Sequence, residues 1–379
     1  MNWKTKRFSQ LMTITKGEAI TKASETEGPY PVILGGQEPA YYINRYNHEG
    51  KAIVISRSGA SAGYASFWNE PIFVTDGFLI EPLNNNHIEY IFYLLKYFGK
   101  ALHDLQNGSA IPHVTPKTIY SLKAPIPPES VQNKIAETLS TYDNLIEVNN
   151  KRIKLLEQMA ENLYKEWFVR FRFPGHETTE FENGIPKGWK IQKLKDIAEV
   201  GRGSSPRPII DQQYFEGGTI PWIKIADATS SKIYIYSTKE YVNEFGASFS
   251  RKLPAGSLIL AASGTLGFPM FLAVEGCIHD GWMYFSRFHG VPSIYVYYVL
   301  MNLRKTFANA SYGAAIQNIN TEIVRKSNII IPDKKTLENF QTKAEDIHRT
   351  IITLQKQNNN LIKQRDLLLP RLMSGKLEI

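Results

Sequence analysis

The sequence predicts an α+β protein built twice: two similar globular domains with curled mixed or antiparallel sheets, separated and joined by two long helices. Three observations carry this reading. Landmarks recur at a spacing of about 205 residues, short β-branched and aromatic runs are bounded by Gly or Pro, and each half closes on an apolar pattern in alternating steps of three and four. A chain of 379 residues suits two ordinary domains, and 43% hydrophobic residues with 20 Tyr, 19 Phe and 6 Trp exclude a disordered or collagen-like chain.

The first domain spans residues 1–130. Its strands are VILGG (residues 32–36), AIVIS (52–56) and IFVTDGFLI (72–80). The second spans residues 185–332, with TIPWIKI (219–225), SLILAAS (257–263) and WMYF (282–285). In both, an apolar strand runs into Ser-Gly (Ser58-Gly59, Ser263-Gly264) and a later segment closes on Asp-Gly (Asp76-Gly77, Asp280-Gly281). A Tyr- and Leu-rich helical stretch follows (88–105, 294–308), then NGSAIPHVT (107–115) or YGAAIQNIN (312–320), then a strand ending Ile126-Pro127 or Ile331-Pro332. The shared offset marks an internal duplication, because chance similarity would drift.

Residues 131–168 form the first long helix, with Leu139, Tyr142, Ile146, Asn149, Ile153, Leu156, Ala160, Leu163 and Trp167 as its seam. A turn-rich connector covers residues 169–184, and residues 333–379 form the second helix and a tail. Ala344, Ile347, Ile351, Leu354, Asn358, Leu361, Arg365, Leu368 and Leu372 make the second seam, each 205 residues beyond a first-helix position. An amphipathic helix of this length cannot bury its stripe alone, so the two are expected to pack together as an antiparallel coiled-coil pair with pseudo-twofold symmetry. The connector is long enough for a parallel pair as well. Each seam carries one Asn, Asn149 and Asn358, a polar interruption of the kind that fixes register.

The net charge of +8 permits a polyanionic partner. A single cysteine, Cys277, allows neither an internal disulfide nor a thiolate metal cluster, and no run of 18 apolar residues is present, so a cytoplasmic, non-membrane setting is expected. The chain lacks GxxxxGK[ST], HExxH and a dinucleotide fingerprint, and no catalytic or metal-binding set is assigned. Asp76 and Asp280, the acidic pair preserved by the duplication, read as turn or ladder-capping residues. The candidate contact loops hold Ser56, Arg57, Ser58 and Ser61 in the first half, and Ser204, Ser205, Arg207, Ser263 and Thr265 in the second. Their backbone N–H groups suit phosphate and their side chains suit base edges.

Three strings point to a family. LEQMAENLYKEWFVRFRFPG (156–175), GIPKGWKIQKLKDIAEVGRGSSP (184–206) and LIKQRDLLLPRLMSGKLEI (361–379) resemble the central region, domain opening and C-terminus of the specificity subunit of Type I restriction-modification enzymes. The resemblance covers nearly the whole chain. It implies a non-catalytic subunit in which each domain is a target recognition domain reading one half of a split, asymmetric DNA target, with the helices as a ruler for the spacer. It implies double-stranded DNA, two adenine-methyltransferase modification subunits and restriction/translocase subunits as partners. S-adenosylmethionine, ATP and Mg belong to those partners, and no cofactor to this chain. On this reading Gln37, Arg45, Arg57 and His113 in the first domain, and Arg207, Lys224, Gln317 and Asn318 in the second, face DNA. The alternative is a duplicated DNA-binding or scaffold protein outside restriction-modification. An adenine methyltransferase is disfavoured because the nearest proline pair, in IPPE at residues 126–129, lacks the flanks of [ND]PP[YFW].

Overall fold

The computed structural model describes residues 3–21, 25–34, 36, 38–84, 86–104, 113–229, 233–264, 266–310 and 318–379. The chain divides into two compact units, one of Met1–Asn150 with Lys356–Ile379 and one of Lys151–Gln355. Each unit therefore joins a globular domain to a stretch of both long helices, and the division falls inside the helices.

In the first unit, strand Lys4–Arg7 pairs antiparallel with Lys123–Ile126, so the domain's opening is clamped to its exit. The main sheet places Met12–Lys16, Gly77–Pro82, Lys51–Ser56 and Ala65–Asn69 side by side in that order, all antiparallel. A second sheet of Tyr41–Ile43, Tyr30–Ile33 and Phe73–Val74 includes a parallel pair, which makes the architecture mixed. Helix Ile88–Tyr97 lies against the main sheet, burying Tyr90, Ile91, Tyr93, Leu94 and Leu95. The sequence reads one helix over 88–105; it breaks after Tyr97 and resumes at Gly99–Asp104, where glycine's high helical cost favours an interruption.

The second unit repeats this plan. Lys190–Lys193 pairs with Asn328–Ile331, and the main sheet orders Glu199–Arg202, Trp282–Ser286, Leu258–Ala261, Pro269–Leu272 and Tyr234–Ile235. Register establishes the duplication more firmly than motif spacing does. Ile53 pairs with Ile80 and Leu258 with Phe285; Ser56 pairs with Gly77 and Ala261 with Trp282; every member of one pair lies 205 residues from its counterpart. A one-residue slip would turn the buried face outward, so matched register over four rungs means matched cores. The second domain is the larger, adding helices Ile225–Thr229 and Glu244–Ser248 and a 3-10 turn at Gln212–Tyr214.

The long helices are Glu129–Tyr164, continued by a π-helical turn Lys165–Val169, and Lys334–Met373, which accommodates Pro370 in its last turn. In the first unit, Ile135, Ala136 and Leu139 share a core with Leu369, Leu372 and Met373, while Asn149 meets Asn358. Positions ascend on one helix as they descend on the other, so the pairing is antiparallel. In the second unit the order is again reversed: Tyr164 and Phe168 pack on Phe340, and Ile153 shares a core with Ile351 and Leu354. The seam residues of both helices are buried or half-buried, whereas Leu145, Val148, Leu155 and Met159, off the seam, are exposed. Trp167 and Phe168 belong to the core.

Candidate nucleic-acid interface

In the first domain, strand Lys51–Ser56 delivers Arg57 and Ser58 to the residue that precedes the returning strand, Asp76. Arg57 Nη2 lies 2.7 Å from Asp76 Oδ1, and the Ser58 hydroxyl donates to Asp76 Oδ2. Ser58 also forms an antiparallel bridge with His113, and Val114 N donates to Arg57 O at 3.0 Å. The carboxylate thus takes one edge of the guanidinium and leaves the rest of a half-exposed cation facing outward. Beside it opens a concavity of about 430 Å³ whose rim includes Lys16, Arg57 and His113 and whose floor is Phe78, Val114 and Pro116. Ser61 sits half-buried in the 3-10 turn Gly59–Ser61.

The second domain builds a counterpart around Asp280. Arg207 donates to Asp280 Oδ2, and Arg202 donates from Nε to Asp280 O at 2.8 Å and from Nη2 to Asn318 Oδ1 at 2.9 Å. Asp280 N donates to Ser205 Oγ at 3.3 Å, and Ser263 bridges Asn318 as Ser58 bridges His113, each residue 205 from its counterpart. His279 Nδ1 accepts from Gly281 N at 2.9 Å while Nε2 lies 3.0 Å from Asp280 Oδ1, which suits a neutral ring protonated on Nε2. Burial pushes His279 below its ordinary pKa; Asp280 opposes this, and the Lys224 and Arg207 charges reinforce it. Arg207 on the carboxylate of Asp280 and Arg202 on its carbonyl leave this cluster positive.

The other described contact residues do not bond to Asp76 or Asp280. Ser56 is corrected: it is only 3% exposed, because it shares the sheet face of Ala52 and Val54, which Ile33 and Val74 of the second sheet cover. Arg45 is held by Glu25 and Glu18 with its guanidinium 4.5 Å above the Phe73 ring, and shares no partner with Asp76. Lys224 pairs with Glu240 at 2.6 Å over the Trp222 ring. Ser204 is exposed and its carbonyl accepts from Ser250 Oγ at 2.6 Å. Gln37, Thr265 and Gln317 lie outside the described residues, as do most of the 107–115 and 312–320 strings. Sequence reasoning passed over Lys16, Arg202 and His279. A signal for the first two was present, since both domain openings end in a cation followed by glycine, Lys16-Gly17 and Arg202-Gly203.

Among the described residues, no group of three or more His, Cys, Asp or Glu could hold a metal ion, and no helix is long and apolar enough to cross a membrane.

Fold and site together define a duplicated recognition protein whose two domains present carboxylate-held arginines. Residues 1–158 and 186–364 match the family described as Type I restriction modification DNA specificity domain, and the chain belongs to that family. It is a specificity subunit, a DNA-recognition component without catalysis of its own. It is 29% identical over 348 residues to the Type I restriction enzyme MjaIX specificity subunit of Methanocaldococcus jannaschii, covering 87% of this chain and 78% of that one. The MjaVIII specificity subunit of the same organism is 23% identical over 404 residues, covering 100% of this chain and 93% of the other. The crystal structure of the S subunit of a Type I restriction-modification system from M. genitalium shares the fold at a TM-score of 0.62, with 16% identity and coverage of 98% and 96%.

Proposed function

We propose that this subunit reads a bipartite, asymmetric duplex DNA target, one domain per half-site, with the helical pair setting the length of the unread spacer. The observation that carries this is the pairing of a duplicated frame with unlike contact loops. The sheets match rung for rung. Yet the arginine on the repeated carboxylate comes from a strand end in the first domain, Arg57, and from a separate loop in the second, Arg207. Equivalent frames with non-equivalent readers fit two different half-targets. Two modification subunits carrying S-adenosylmethionine would methylate adenine at the sites selected, and restriction/translocase subunits with ATP and Mg would act on unmodified DNA, all chemistry residing in those partners. Cys277, free and buried, fits a reducing cytoplasm.

Genome-wide adenine methylation, compared in cells with and without this gene while the methyltransferase is present, tests the reading. Loss of one split motif with a fixed gap is the expected result. If that methylation persists unchanged, the chain does not direct it, and direct duplex binding by the purified chain then separates a silent reader from a scaffold.

A further inference from the structure

Lys16 and Arg202 occupy the same place in the two domains, 186 residues apart like the rest of the two openings (Trp3 and Trp189, Lys4 and Lys190), and not at the 205-residue offset of the later landmarks. Lys16 pairs with Phe78 and Arg202 with Met283, and Phe78 and Met283 pair in turn with Ile55 and Leu260, 205 residues apart. The glycine after each cation is duplicated in its surroundings. Gly17 N donates to Gly77 O at 3.0 Å and Gly203 N to Trp282 O at 2.9 Å. A methyl group at Gly17 would collide with the carbonyl oxygens of Val74 and Thr75, and one at Gly203 with those of Ile278 and His279, the residues just before Asp76 and Asp280. Each cation is thus held by a glycine crossing close beside the segment that carries the repeated aspartate.

We propose that the Lys16-Gly17 and Arg202-Gly203 steps form the sequence-indifferent half of the interface, with Lys16 and Arg202 contacting the phosphodiester backbone of duplex DNA in each half-site. The proposal rests on the bipartite reading above. Two domains that read different bases still meet the same sugar-phosphate chain, so a contact kept in one register position in both domains suits the feature common to both half-targets. Arg57 and Arg207, which are not equivalent, suit the features that differ. The chemistry agrees. Lys16 is exposed, and none of the described residues bonds to its amine, leaving a compact point charge at the rim shared with Arg57 and His113. Arg202 spends Nε and one Nη2 proton on Asp280 O and Asn318 Oδ1, and its remaining N–H groups are available to an anion.

The test uses the full chain and a fluorescent mixed-sequence duplex over a salt series, with Lys16→Ala, Arg202→Ala, Arg202→Lys, Arg57→Ala and Arg207→Ala. Each of K16A and R202A should bind roughly fivefold more weakly and lower the slope of log K against log salt by about one. R202K should restore the slope, which a merely structural loss of the Asn318 bond would not allow. The same loss should appear on a duplex carrying the methylated motif, leaving the preference for that motif unchanged. Wild-type affinity and slope in K16A and R202A, alongside normal binding by the parent, would overturn this inference alone. A changed preference in K16A would make Lys16 a base reader and overturn it too. Absence of duplex binding by the parent chain would instead bring down the bipartite reading on which it stands.

Discussion

Asn149 Nδ2 donates to Asn358 Oδ1 at 2.9 Å across the helix pair, and Asn358 Nδ2 donates to Asn150 Oδ1 at 3.1 Å. Both seam asparagines are buried, and the chain of bonds runs from Asn149 to Asn358 and on to Asn150 in a mostly apolar line. Nearby, Arg365 donates to Asp143, which also accepts from Tyr93 OH at 2.6 Å, tying the same helix pair to the first domain's own helix. Sliding the helices by one heptad would set Asn149 against Ile351 or Arg365 and Asn358 against Tyr142 or Leu156, breaking the amide pair, which gives the polar cluster a register-setting role.

Replacing Asn149 by leucine leaves the buried Asn358 Oδ1 without its donor, and replacing Asn358 leaves the buried Asn149 Nδ2 without its acceptor. Asn149→Leu or Asn358→Leu alone should destabilise the protein by about 1 to 3 kcal/mol. The double variant should recover most of that, because the unsatisfied group is gone. Urea unfolding of the four proteins gives the coupling energy, and strict additivity would contradict the pairing.

The two arginine clamps should act on separate half-targets. Arg57→Ala is expected to cost about 1 to 3 kcal/mol of discrimination at one half-site and Arg207→Ala a similar amount at the other. Competition with duplexes altered in one half at a time reads this directly. A loss spread equally over both halves by either variant would contradict the assignment of one domain to one half-site.

His348 makes stability fall with acid. It is 2% exposed, with Tyr234 OH 2.8 Å from Nδ1 and Tyr298 OH 2.6 Å from Nε2, and burial pushes its pKa from 6.5 down to about 4. The unfolded chain therefore binds a proton between about pH 6.5 and 4 that the folded chain refuses. The contribution is complete above the unfolded pKa and is lost as pH falls through this window, a total on the order of 3 kcal/mol. Thermal unfolding from pH 7 to 4 should show a shallower decline in His348→Gln than in the parent. Parallel curves would mean that carboxylates alone govern the acid limb.

Adding seven residues to each long helix should change the accepted spacer without changing the half-targets. A heptad preserves the seam and lengthens each helix by about 10.5 Å. Methylome sequencing of cells carrying the lengthened subunit checks this, and an unaltered gap would remove the ruler from the reading.

Features that depend on local pattern are legible in the residues alone. Heptad steps named the seam from Leu139 to Leu372, because a helix exposes its period directly, and the 205-residue offset disclosed the duplication because both copies keep the same strands and turns. The strings at residues 156–175 and 361–379 disclosed the family. Features that depend on pairing between distant segments emerge only in the folded chain. Folding set the antiparallel sense of the helices, since heptads are equally compatible with either direction. It buried Ser56, since the second sheet covers the face that Ser56 shares with Val54. It also brought Lys16 and Arg202 to one rung against Phe78 and Met283, which the 205-residue offset does not link to the openings because the second domain carries a longer segment between its opening strand and the rest of its sheet. Equivalence of that kind is defined by hydrogen-bonded neighbours, and those are chosen only when the whole sheet closes.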